Sequence, residues 1–387
     1  MRSSYLEDDV ILLLKDITGL VEPQSTEERE RRIQSGRHYS EMLPIEYVPS
    51  EKYMEAYRNA LDHFSAPTAR AVERLAEIIL QRRGGSVVLV SLARAGIPAG
   101  ILLKRYMRTK YRIDVPHYSI SIIRGRGIDD NAVKYLLERH PAGDLLFVDG
   151  WIGKGAILGE LKKSVEPYGG LSPELAVLAD PAGVTELCGT HEDLLIPSSC
   201  LNSTVSGLIS RTFLRDDIIG KDDFHGAVYY GELKDADLSY DFIRRIESEF
   251  GGETGGTPER KQDTGSADLK ALSAAGAPDE QTIPPAEGAS DERIVPPAAG
   301  TSGIDEVREI ARRFQIGDIN LIKPGIGEAT RVLLRRVPWK ILIGESSKGD
   351  AALTHLIRLA QEKGVSVEYY PLVRYKACGI IRRMADA

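Results

Sequence analysis

Leu145-Leu146-Phe147-Val148-Asp149-Gly150-Trp151-Ile152-Gly153-Lys154-Gly155-Ala156-Ile157 runs from four apolar residues through an acid into a glycine-rich loop and then a helix. A short continuous apolar run reads as a strand buried on both faces, which belongs to a parallel sheet. The acid then stands at the carboxyl edge, where open α/β sheets take their ligands. Loop N–H groups opening onto a helix attract phosphate.

The flanking sequence repeats the pattern. Ala66–Arg82 carries Val72, Leu75, Ile78 and Ile79 at helical spacing, and Gly84-Gly85 ends it. Ser86–Leu92 is a second buried strand, Ala93-Arg94-Ala95-Gly96 a loop, and Ile97–Met107 a helix with Pro98 in its first turn. Val115–Ile123 is a strand ending in Arg124-Gly125-Arg126-Gly127; a helix near Asn131–Arg139 and a strand over Glu174–Leu178 follow. Alternating strands and helices predict a doubly wound parallel sheet. The first sixty residues are polar, partly helical and unplaced.

From about Gly251 to Gly303 the chain is mostly Gly, Ala, Pro, Ser, Thr, Asp and Glu, which predicts a flexible, disordered linker. It divides 1–250 from 304–387. In the second part Ile304–Phe314, Gly327–Val337, Ala351–Lys363 and Cys378–Met384 read as helices. Ile319–Ile322, Lys340–Gly344 and Val365–Tyr370 read as strands, giving a small α/β/α sandwich. Residues 301–387 hold 15 Lys and Arg against 10 Asp and Glu, or +5, in a chain of net −7, so 1–300 carries −12. A basic tail domain on an acidic body points to a polyanionic partner. No apolar run approaches a membrane span, the acidic N-terminus is unlike a signal peptide, and three scattered cysteines make no disulfide framework. A cytoplasmic protein without membrane contact is expected, and a homo-oligomer is left open.

Two strand-loop-helix corners in one sheet raise phosphate binding above ordinary turn geometry. Asp149 is placed to hold sugar hydroxyls, and Gly153, Lys154, Gly155 and Ala156 to hold one phosphate. Arg94, Ala95 and Gly96 are placed to take a second, with Arg124 or Arg126 closing over the site. The Lys154 loop lacks the spacing of a Walker A motif.

Asp149 with its loop resembles the phosphoribosyl diphosphate signature of type I phosphoribosyltransferases, and Ala93–Pro98 resembles their pyrophosphate loop. Gly36-Arg37-His38-Tyr39-Ser40-Glu41-Met42 and Leu195–Leu208 narrow the match. With them the chain is similar to a bacterial family found with tellurite-resistance stress genes. That family pairs a phosphoribosyltransferase-like domain with a Pelota-type RNA-binding domain, and some of its members are labelled cysteine protease StiP. The resemblance implies transfer at the anomeric carbon of phosphoribosyl diphosphate with Mg²⁺, on a phosphorylated sugar or nucleotide-like substrate. It implies Asp149, Arg124 and Arg126 as catalytic, with Arg94 and Lys154 cupping the doubly phosphorylated sugar between their loops. Gly150 stands where the family's second acid is usual, which favours a nucleotide-sensing RNA-binding protein without turnover as an alternative.

A third reading is a thiol protease using Cys200 or Cys188, with His191 or His225 as base and Asp193 as orienter. Burial of both thiols in the core is the simpler expectation. In the C-terminal domain Pro324-Gly325-Ile326-Gly327-Glu328-Ala329-Thr330-Arg331 resembles the RNA loop of the superfamily that includes Pelota, and Tyr375–Ile380 its second loop. Gly325, Gly327, Glu328, Arg331, Arg335 and Lys376 are the RNA-binding candidates, with Arg336 adding charge.

Overall fold

The computed structural model describes residues 1–252 and 302–382. Its first part runs β1 (Ile11–Leu12), β2 (Lys15–Asp16), α1 (Thr26–Gln34), α2 (Glu51–Arg83), β3 (Val88–Ala93), α3 (Gly96–Tyr106), β4 (His117–Ile123) and β5 (Gly127–Ile128). It continues through α4 (Asp130–Leu137), β6 (Leu145–Trp151), α5 (Ala156–Val165), β7 (Leu175–Ala179), β8 (Cys188–Thr190), β9 (Gly226–Ala227) and α6 (Ser239–Glu247).

The central sheet has the order β1-β4-β3-β6-β7-β8, all parallel, with β5 antiparallel at β4. Side-chain alternation along each strand feeds two cores. Leu146 and Val148 of β6 join Leu75 and Ile79 of α2 and Ile101 of α3 on one face. Leu145 and Phe147 join Val133 of α4 and Leu161 of α5 on the other. Both faces are covered, which is why these strands are continuous apolar runs.

The expected parallel sheet is present. Helix α2 begins fifteen residues before the expected Ala66 and carries Pro67 in its interior. Proline lacks the N–H of a helical bond, so one rung is missing there, and packing of Tyr57, Phe64, Val72 and Leu75 holds the helix across it. The unplaced first sixty residues supply the edge strand β1, and Leu13, Leu14 and Ile17 are buried.

The C-terminal part contains α7 (Gly303–Arg313), β10 (Ile322–Pro324), α8 (Ile326–Arg335), β11 (Pro338–Gly344), α9 (Thr354–Glu362), β12 (Ser366–Tyr370) and β13 (Ala377–Ile381). The sheet order is β10-β13-β11-β12, with β13 antiparallel to both neighbours. Leu342 packs toward Val307 and Ile310 of α7, whereas Ile341 and Ile343 pack toward α8 and α9. The helix expected over Cys378–Met384 is a correction: Ala377–Ile381 is a buried central strand, and residues 383–387 lie outside the described residues. The linker expected at 251–303 falls mostly on 253–301, also outside the described residues; Ser302 caps α7. Among the described residues no helix is long and apolar enough to cross a membrane.

Candidate functional site

The carboxyl edge of the central sheet is covered by the C-terminal domain. Lys154 Nζ donates to the carbonyls of Ile319 (2.6 Å) and Ile322 (3.2 Å), and Tyr375 Oη donates to the Gly153 carbonyl (2.7 Å). Arg124 donates to Asn320 Oδ1 (2.9 Å). Burial pushes the Lys154 ammonium down to about 8, with Lys323 and Arg124 adding to the shift. Asp149 accepts the Gly150 N–H (2.8 Å), and burial raises its carboxyl to about 7. Gly155 has a left-handed backbone (φ 82°) and Ala156 opens α5.

Arg94 goes elsewhere. Its guanidinium donates to the Ile209 carbonyl (2.6 Å) and Asn202 Oδ1 (3.2 Å) and lies 3.6 Å from Glu46. Gly96 sits directly against the Val148 carbonyl, and Ala95 against Gly150. Arg126 is tied to Glu41 and to the Leu214 carbonyl. Arg94 and Lys154 therefore engage different segments, and the space beside Asp149 faces Glu328 and Arg331 of α8. The two loops touch, Ala95 against Gly150 and Gly96 against Val148, but the Arg94 and Lys154 side chains are not brought together.

The candidate RNA loop faces the same seam. Gly325 has φ +97°, a conformation other residues rarely adopt, and it turns the Ile326 N–H onto Asp193. Asp193, 7% exposed, accepts through its carboxylate from Ile326 N (3.0 and 3.1 Å) and Lys376 N (2.9 Å). Burial raises its carboxyl to about 6 against those bonds. Gly327 packs toward Ser199, and Glu328 pairs with Arg331 at 3.4 Å. Arg331 stands 5.7 Å over the Trp151 ring, and Lys376 Nζ reaches Asp350 at 2.9 Å. The Arg335 side chain lies outside the described ones. A narrow cleft is lined by Trp151, Pro181, Asp193, Pro324 and Glu328.

The third grouping lies on β8, two strands along the sheet from β6. Cys188 opens β8 and is buried; its Sγ is 3.4 Å from His191 Nε2 and 3.6 Å from Nδ1. The imidazole, 54% exposed, places Nδ1 3.0 Å from the Asp180 carbonyl and 3.8 Å from its carboxylate. The two ring nitrogens lie at nearly equal distances from Sγ, so the thiol rests against the ring and not in line with the Nε2 lone pair; a neutral ring with its proton on Nδ1 must rotate to bring that lone pair onto the thiol. Asp180 is itself held by the N–H groups of Gly183, Val184 and Thr185 (2.7–3.1 Å). Burial pushes the Cys188 thiol up to about 11, and the Asp180 carboxylate adds to it.

Cys200 is fully buried in the main core near Tyr57, and burial lifts the fully buried Cys378 far above the ordinary thiol range. His225 bonds Ser121 (2.8 Å), and Asp193 serves the C-terminal loop, so neither takes the role read from sequence. Asp180 was missed, although a strand stopped by Asp180-Pro181 is visible in the sequence. Among the described residues no group of three or more His, Cys, Asp or Glu is placed to hold a metal.

A mostly parallel α/β body bearing a basic α/β domain, with a Cys–His pair at a strand end, defines a two-module protein with thiol chemistry available. Residues 301–383 match the Pelota RNA-binding domain, and residues 3–247 match the family described as tellurite-like stress resistance cysteine protease StiP. The chain is 34% identical over 393 residues to the cysteine protease StiP of Acinetobacter baylyi (strain ATCC 33305 / BD413 / ADP1), covering 98% of this chain and 94% of the relative. This chain belongs to the StiP family. The phosphoribosyltransferase expectation is thereby overturned: the family and the relative are named as cysteine proteases, and the transfer reaction is withdrawn. The Mg²⁺ expected with phosphoribosyl diphosphate belonged to that reaction.

Proposed function

We propose that this chain is a thiol peptidase with Cys188 as nucleophile and His191 as base, joined to a domain that binds RNA. The observation that carries the peptidase reading is the Cys188 Sγ–His191 Nε2 distance of 3.4 Å, with the ring's other nitrogen on the Asp180 carbonyl. Cys188, His191 and Asp180 supply the nucleophile, base and orienter thiol chemistry requires, and a rotation of the half-exposed imidazole brings Nε2 onto the thiol. The thiol proton passes to Nε2 as sulfur attacks the peptide carbonyl. The imidazolium then gives that proton to the leaving amine as the C–N bond breaks. Water hydrolyses the thioester and restores the thiol. The family name supports the reaction class, and the Pelota match supports RNA as the partner of residues 301–383.

Cys188 is only 5% exposed and its thiol is held protonated, so this arrangement is a resting one. Alkylation needs thiolate. In the full chain without RNA, the rate of iodoacetamide modification of Cys188, followed by peptide mapping, is expected to climb about tenfold per pH unit through pH 10. A plateau below pH 9 would contradict the protonated resting thiol.

A further inference from the structure

The contact between Asp193 and the Gly325 loop does more than join two modules. We propose that the N–H cradle of Ile326 and Lys376 is a phosphodiester site, and that the Asp193 carboxylate fills it in place of an RNA phosphate. The proposal rests on the RNA-binding reading of residues 301–383 given above. Two separate loops converge their N–H groups on one buried anion, and that anion comes from the other module. A carboxylate offers the same pair of charged acceptor oxygens as a phosphodiester.

A second observation points the same way. A second acid of the N-terminal body holds a C-terminal cation: Arg336 donates to Glu30 at 2.9 Å. Lys154 and Lys323 are both pushed down by burial, and Arg124, Arg331 and Arg336 stand close enough to Lys323 to add to the effect. Glu328 pairs with Arg331 at 3.4 Å, and Lys154 donates to carbonyls instead of carboxylates. Clustered cations are costly to bury without anions. Lys323, Arg331 and Arg336 belong to the C-terminal domain and would flank a phosphate backbone in the cradle.

Two consequences follow from the shared donors. RNA and the N-terminal body exclude one another, so the apparent RNA affinity is the intrinsic one reduced by the open fraction. Asp193 is two residues from His191, and the Asp180–Ala182 loop that orients His191 carries the Gly303 N–H on the Ala182 carbonyl (3.2 Å). RNA that displaces Asp193 thus frees the segment bearing the base and uncovers Cys188.

The test uses the full chain and a fluorescein-labelled bulged RNA hairpin. Asp193→Ala removes the internal anion and is expected to bind the hairpin about tenfold more tightly than wild type. Tyr375→Phe removes only the bond to Gly153 and loosens the seam without touching the cradle, so it is expected to bind roughly threefold more tightly. Saturating hairpin is expected to speed alkylation of Cys188 in wild type, and Asp193→Ala to show the fast rate without it. Hairpin binding that neither substitution tightens, no hairpin binding at all, or an alkylation rate indifferent to RNA would each overturn the proposal. Binding and alkylation are read without any peptide substrate, so a chain that passes here yet hydrolyses no peptide fails the peptidase reading alone.

Discussion

Cys188→Ala is expected to reduce peptide hydrolysis to background, a loss of at least about 10⁴-fold, because the nucleophile and its base act as one unit. His191→Asn should lower kcat by about 10²–10⁴-fold, since the amide can still meet the Asp180 carbonyl but cannot take the thiol proton. Cys200→Ala is the control. That thiol is fully buried in the main core, so its loss should cost stability through a small cavity and leave the rate per folded molecule intact. Hydrolysis assays normalised to folded protein separate the outcomes. A Cys188→Ala chain that retains wild-type turnover would remove the thiol from the reaction.

Gly189→Ala is the substitution with the largest expected effect on stability. Gly189 stands between Cys188 and Thr190 in β8, where α2 passes so closely that an added Cβ would fall 2.2 Å from the Ala71 carbonyl oxygen and 2.7 Å from its Cα. Both obstacles are backbone of a long buried helix, so neither can swing aside. Strand or helix must shift, at about 3 kcal/mol by the usual cost of overpacking. The same displacement moves Cys188 away from His191. Urea unfolding should show the lowered midpoint, and Cys188→Ala, which leaves that approach untouched and opens only a small cavity, should lower it far less. A Gly189→Ala midpoint equal to wild type would mean that β8 and α2 are less tightly joined than described.

Much of the scaffold was legible because the central strands are buried on both faces. Leu145–Val148 is an unbroken apolar run, Val88–Leu92 is interrupted only by Ser91, and His117–Ile123 keeps Ile120, Ile122 and Ile123 among small buried serines; their order along the chain implies the parallel sheet. Ala377–Ile381 shows why short runs fail: five buried residues followed by basic ones fit a helix or a strand equally in sequence, and only pairing with both β10 and β11 resolves them. Ile11–Leu12 is two residues long and owes its strand character to β4, more than a hundred positions away.

The site was legible in parts and not in its arrangement. Cys188 and His191 are near neighbours in the chain, yet what orients the ring is Asp180, at the end of an adjacent strand. The glycine-rich loops at Lys154 and Gly325 were each read as facing a phosphate ligand. Instead Lys154 and Asp193 bind the opposing module's backbone. Such mutual occupancy depends on contacts across more than a hundred residues and leaves no local pattern to read.

The most direct measurement is to treat the full chain, with the bulged RNA hairpin present, with an epoxysuccinyl thiol-peptidase probe and to map the modified residue. The account predicts a single adduct on Cys188 that disappears in His191→Asn. An adduct on Cys200 with Cys188 untouched, in a chain that hydrolyses peptide, would contradict it.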